Sequence, residues 1–234
     1  MASAVSWPSI AAQCPVIEAA HYGRYGVGVS TQQPHTGGGF NPPTPTDKGG
    51  PDYGRFIAAV RTLQDQARSV DAPDGVVTEA ADLLDKLTTL LAPYEADEWT
   101  SPSGRRIDLP NRGNILSVPM DLHKVADDRV EGTVRFGRYH LGRNGAAHGG
   151  TIGLMFDSLL GYTAAVLSGR HAQRTAYLHV DYRAIVPVET ELRAEATIRS
   201  EEGRKMFVEG AVYLGDTLLT EANALFVKLK PGQP

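Results

Sequence analysis

The stretch HGGTIGLMFDSLLGYTAAVL, His148 to Leu167, decides the fold. From Thr151 to Leu167 it carries apolar residues on every helical face, the pattern of a helix buried in a protein core or in a bilayer. The run is near the lower length limit for spanning, has Asp157 at its middle and lacks basic flanking anchors, so burial in protein is expected. Outward from it the period changes from 3.6 to 2. Residues 116–124 and 129–137 read as short strands, with Val130, Thr133, Val134 and Phe136 among β-favouring types. Residues 175–186 alternate Ala176, Leu178, Val180 and Tyr182 against Tyr177, His179, Asp181 and Arg183. Residues 191–199 alternate Leu192, Ala194, Ala196 and Ile198 against polar neighbours, and the turns at Glu201–Gly203 and Leu214–Asp216 lead into two further strands. Strands, one helix and a strand meander make an α+β plan, with an antiparallel sheet long enough to wrap round one long central helix.

Upstream, Phe56, Val60, Leu63, Ala67 and Val70 recur at spacings of three and four, as an amphipathic helix requires. Asp71 is a candidate N-cap for a second helix with Pro73 in its first turn, and Val77, Ala81, Leu84, Leu87 and Leu91 form an apolar stripe that stops at Pro93. The chain then divides into a disordered or loosely docked arm (1–52), a helical hairpin (53–95), a turn-rich linker (96–114) and the main domain (115–230). The hairpin is expected to pack on the main domain or a partner subunit, or to lie over a substrate tunnel as a lid.

Composition narrows the function. The chain has 234 residues, 41% hydrophobic and 21% charged, with 23 Lys and Arg against 27 Asp and Glu for a formal charge of -4. That balance offers no global basic field for phosphate backbones or anionic lipid, so neither nucleic acid nor membrane is an expected partner. The single cysteine, Cys14, closes no intramolecular disulfide and suits a reducing compartment. The opening MASAVSWPSIAAQCPV has no basic flank before a long apolar run, so no secretory leader is expected and the cytoplasm is the expected location. His140/His148 and His171/His179 lack metal-ligand spacings, so no metal site is expected.

Two features carry chemistry. The loop from Asn144 to Gly150 opens the helix, whose first-turn N–H groups favour negative charge, and Gly149 and Gly150 let a ligand atom approach the backbone. The loop reads equally as an anion or oxyanion site and as a tight strand-to-helix turn. Asp157 is the second feature: an ionised carboxylate in an apolar helix needs a partner or a wet site. A general base or nucleophile is one reading; an Asp bonded locally, for instance to Ser158, is the other. Eight residues separate Gly149 from Asp157, about 12 Å along a straight helix at 1.5 Å per residue. If both act on one substrate atom, the acid must come from an antiparallel second copy, making the protein at least a dimer.

The run HGGTIGLMFDSLLG resembles the signature of the hotdog-fold acyl-CoA thioesterases, in which HGG opens the central helix and an Asp follows nine positions after the His. TAYLHVDYRAIVPV and EEGRKMFVEGAVYLGDTLLTEANALFVKLKP resemble the same superfamily, nearest to its mitochondrial long-chain acyl-CoA and phenylacetyl-CoA thioesterase-like branch. The likeness spans roughly residues 115–230. It implies a hotdog fold and hydrolysis of an acyl-CoA thioester to free acid and CoA, with coenzyme A as part of the substrate and no separate cofactor. Asp157 would be the catalytic carboxylate, activating water or attacking directly; Gly149 would polarise the carbonyl; His148 and Asn144 would shape that loop; Thr175 would help place water. Asp181, Arg183, Arg204 and Lys205 match positions that contact coenzyme A, and a homodimer or dimer of dimers would carry the site. Two other readings remain open, a hotdog hydratase or dehydratase and a non-catalytic acyl-CoA-binding module.

Overall fold

A computed structural model describes residues 44–97, 99–169 and 172–230. Its helices are α1 (Tyr53–Ser69), α2 (Asp74–Leu91) and α3 (Gly149–Ser168); its strands are β1 (Met120–Lys124), β2 (Arg129–Arg135), β3 (Gln173–Tyr182), β4 (Glu191–Glu202), β5 (Lys205–Leu214) and β6 (Thr217–Lys228). The strands form one antiparallel sheet in the order β1-β2-β4-β5-β6-β3, and α3 lies across it in contact with β2 to β6. This is the hotdog arrangement that the resemblance implies. Cys14 and His171 lie outside the described residues.

On β4 the inward positions are those of the expected alternation, Leu192, Ala194 and Ala196; Val130 and Val134 on β2 and Met206, Val208 and Val212 on β5 face the same side. They meet Phe156, Met155, Leu159 and Leu160 of α3, all fully buried. Each such side chain contributes about 1.5–3 kcal/mol on leaving water. The close seat of α3 requires a glycine. A Cβ at Gly210 would stand 2.9 Å from Leu160 Cδ2 and 2.8 Å from the Glu195 carbonyl oxygen.

α3 begins and ends on sequence-encoded signals. The His148 side chain accepts from Gly150 N–H at the N-cap, and Gly169 closes the C-terminus at φ 68°, the left-handed region that glycine favours. By length and composition the helix could cross a bilayer. Here the expectation of burial on every face is corrected: one face packs on the sheet, while Asp157, Tyr162 and Val166 are exposed on the other.

Strand boundaries moved where side chains compete for the backbone. Residues 116–119 are no strand, because the Asn111 side chain bonds Val118 O and Met120 N and Asn114 Oδ1 takes Leu116 N–H; Pro119 has no N–H to give. β3 stops at Tyr182 because Arg183 and Ala184 both donate to Leu219 O.

Both upstream helices form where expected, but α2 starts at Asp74 with Pro73 as N-cap, not Asp71. Pro73 disfavours helical backbone at Ala72, which removes Asp71 as N-cap, and Pro73 itself is extended at ψ 147°. The pair does not close as a packed hairpin: α1 docks chiefly on the 3-10 turn Arg138–His140, whereas α2 buries no residue and keeps Val77, Leu84, Leu87 and Leu91 exposed. Of the expected arm, residues 1–43 lie outside the described residues; residues 44–50 dock on the 99–108 segment, within the expected linker. Arg105 Nε donates to Thr44 O at 2.7 Å, and buried Arg106 bonds Lys48 O, Gly50 O and both Asp108 carboxylate oxygens.

Gly210→Ala is expected to lower stability by about 1–3 kcal/mol through overpacking against Leu160 and the β4 backbone. Denaturant unfolding of the purified protein checks this, with an unchanged midpoint counting against the close seat.

Candidate active site

The glycines of the 148–150 loop have distinct tasks. Gly150 N–H donates to His148 Nδ1 at 3.0 Å, so it is already committed within the loop. Gly149 N–H has no acceptor among the described residues, while its carbonyl accepts from Tyr182 Oη at 2.9 Å. A Cβ on Gly149 would meet that hydroxyl at 3.3 Å. The loop therefore presents one uncommitted donor at the positive end of α3, as an oxyanion site requires, and glycine keeps the approach open.

Preceding residues hold that loop in shape. Asn144 (φ 54°) and Gly145 (φ 75°) are both left-handed and exposed at its tip, and Gly142 N–H closes it onto Ala146 O at 2.8 Å. Asn144 thus shapes the turn rather than reaching α3. His148 N–H donates to His140 O at 2.8 Å, and Gly137 N–H donates to His140 Nδ1 at 3.0 Å, which requires a lone pair on that nitrogen. Burial holds the His140 imidazole below the usual histidine range; Asp65 opposes this and Arg61 adds to it.

Asp157 sits at the exposed face of α3, and its Oδ1 accepts from Thr175 Oγ1 at 2.9 Å. The partner is thus Thr175 on the neighbouring strand rather than Ser158. Strand parity alone would point Thr175 away from α3, because Leu178 and Val180 are the positions packed against the core. The register of β3 on β6 shifts between Thr175 and Tyr177, and this bulge at Ala176 turns Thr175 back toward the helix.

The four residues matched to coenzyme A separate into two pairs. Lys205 opens β5 and Arg204 lies in the turn before it, at the same sheet end as Thr175: Met206 and Thr175 both pair with Phe226. Both are exposed, with Arg204 donating to Lys228 O at 3.0 Å. Asp181 and Arg183 lie at the other end of β3, beside Tyr182 and Gly149. The Arg183 guanidinium binds Asp181 at 3.1 Å and Glu221 at 2.8 Å, on the face opposite α3, so two carboxylates already balance its charge. Neither Arg204 nor Lys205 has a carboxylate partner among the ion pairs of the described residues.

One chain therefore carries two incomplete clusters: Asp157 and Thr175 at one end, and Gly149, His148 and Tyr182 at the other. Tyr182 was not singled out from sequence, although its place in the inward alternation of β3 was the available signal. Among the described residues no group of three His, Cys, Asp or Glu side chains could hold a metal ion.

Residues 144–221 match the family model described as thioesterase superfamily. The acyl-coenzyme A thioesterase THEM4 of Xenopus laevis is 39% identical over 112 residues, 47% of this chain and 50% of that protein. THEM4 of Rattus norvegicus is 32% identical over 115 residues, 48% of this chain and 49% of that protein. The chain thus spans about half the length of the curated relatives it matches. A crystal structure of a thioesterase superfamily protein superposes with a TM-score of 0.65 at 23% identity, covering 80% of this chain and 97% of that one. That coverage exceeds the main domain, so the likeness of fold extends into the upstream segment. Residues 144–221 are thus similar to the thioesterase superfamily, and the main domain shares the fold of that solved protein.

Proposed function

We propose that the protein is an acyl-CoA thioesterase whose active site is assembled from two copies of the chain. The carrying observation is the exposed Asp157 carboxylate held by Thr175 Oγ1 at 2.9 Å, eight residues along one continuous helix from the uncommitted Gly149 N–H. Those groups are about 12 Å apart along the axis, too far to contact one carbonyl. Antiparallel apposition of two copies along β3, an edge strand, sets Asp157 of one beside Gly149 of its partner.

In that arrangement the thioester carbonyl oxygen receives the Gly149 N–H as negative charge develops on it, worth about 3 kcal/mol to the tetrahedral transition state. Asp157 takes a proton from water as the water oxygen attacks the carbonyl carbon. Thr175 orients the carboxylate by donating to Oδ1, leaving Oδ2 for the water. Collapse breaks the C–S bond, and the thiolate leaves to be protonated as free coenzyme A. Arg204 and Lys205, at the same sheet end as Thr175, serve the anionic part of the substrate. The relatives named as acyl-coenzyme A thioesterases support the substrate class.

Asp157→Asn is expected to lower thiol release from acyl-CoA by at least about 100-fold without dissolving the dimer, read by a free-thiol assay and by light scattering. Unchanged turnover would remove Asp157 from the mechanism. A mixing experiment tests the composite site: Asp157→Asn and Gly149→Val are each inactive alone, but their heterodimer has one intact site. Random re-association should then recover about a quarter of wild-type activity, as half the dimers are mixed and each has one working site of two. No recovery places both groups in a single-chain site. The double variant Arg204→Ala/Lys205→Ala should raise KM about tenfold for a CoA thioester while leaving KM for a pantetheine thioester, which lacks the nucleotide phosphates, within about twofold.

A further inference from the structure

The helix α1 stands outside the segment that matches the thioesterase superfamily, yet one of its carboxylates reaches the loop that opens the active helix. Asp65 Oδ1 accepts from Tyr139 N–H at 2.7 Å, across 74 residues of sequence. The recipient turn needs that acceptor. Residues Arg138–His140 form a short 3-10 turn whose N-cap is Gly137. An N-cap Asp, Asn, Ser or Thr would supply an oxygen to the free N–H groups of the first turn; glycine has none to offer. Gly137 is also what admits the substitute: a Cβ there would stand 2.6 Å from Asp65 Oδ1 and 2.8 Å from Oδ2. The cap is supplied by another element, and it is charge-assisted.

From the capped turn a short series of bonds leads to the oxyanion donor. Gly137 N–H donates to His140 Nδ1 and His140 N–H to Gly137 O, closing the turn. His140 O accepts from His148 N–H at 2.8 Å, and His148 Nδ1 accepts from Gly150 N–H at 3.0 Å. Gly149, with the uncommitted N–H, lies between those last two anchor points. Arg61 on the same helix fixes the seat of α1 by donating to Asn114 O at 2.6 Å and Ser117 O at 2.9 Å.

We propose that Asp65 is a positioning residue for the oxyanion donor: it caps the 138–140 turn, and through His140 and His148 it holds Gly149 N–H in line for the substrate carbonyl. The catalytic part of this statement rests on the thioesterase reading; the structural part does not. Asp65 touches no reacting atom and acts on the rate only through the loop.

The test compares Asp65→Ala, which removes the acceptor, with Asp65→Asn, which keeps an oxygen at the Oδ1 position. Two readouts are taken on the full chain: amide hydrogen exchange of peptides covering 137–150, and steady-state thiol release. In Asp65→Ala the 137–150 amides should exchange at least about tenfold faster while β4 to β6 keep their wild-type rates, and kcat should fall about tenfold with KM within about twofold. Asp65→Asn should restore most of both. Gly137→Ala approaches the same contact from the loop side and should reproduce the Asp65→Ala pattern. Wild-type exchange in 137–150 for Asp65→Ala overturns the proposal, as does uniform acceleration across the sheet, a KM effect alone, or failure of Asn to rescue. If the wild-type protein hydrolyses no acyl-CoA, the thioesterase reading falls, and the exchange comparison still decides whether Asp65 holds the loop.

Discussion

The fold and the candidate chemistry both depend on how α3 sits on its sheet. Burial of Met155, Phe156, Leu159 and Leu160 is nondirectional, and taken alone it would let the helix slide or roll by a fraction of a turn. Gly210 removes that freedom by letting Leu160 descend onto the β5 backbone at one place. Two hydrogen bonds to the edge strand then pin the helix: Thr175 to Asp157, and Tyr182 to the Gly149 carbonyl. Packing sets the height of the helix, and these two bonds set its register against β3. The groups proposed to act on substrate are the residues that receive those bonds.

Much of the main domain was legible because its signals are local. Parity picked out the buried positions of β4, and the apolar stretch from Thr151 to Leu167 bounded α3 within two residues. What failed was competition from elsewhere. The Asn111 side chain takes Val118 O and the Asn114 side chain takes Leu116 N–H, groups a strand would have used, and no pattern within that segment announces it. Asp157 was legible as anomalous but not as exposed, since a sequence shows how apolar a helix is and not how many of its faces are covered. The match of Arg183 to a coenzyme A position could not show that Glu221, 38 positions away in sequence, shares its guanidinium. Asp65 was invisible for the same reason, being one of several acids on an amphipathic helix until the fold sets it against Gly137.

The upstream segment is two different things. Residues 44–50 and 99–108 are tied to each other through Arg105 and Arg106, and α1 is tied to the main domain through Arg61 and Asp65, each of which donates to or accepts from backbone far away in sequence. Such bonds give direction to a docking that apolar contact would leave loose, because guanidinium and carboxylate geometry tolerates little rotation. Among the described residues α2 has no comparable anchor. Its stripe of Val77, Leu84, Leu87 and Leu91 reads as a core face in sequence and is exposed in the structure.

The bulge at Ala176 means that β3 is written in two reading frames. On the Thr175 side the odd positions address α3, and from Leu178 onward the even ones do. The out-of-frame residue lets a single strand serve the acid end of the helix and the donor end together, although those ends are not separated by a whole number of strand repeats. The strand is a vernier set against the helix, converting a 3.6-residue period into a 2-residue one with one extra tick.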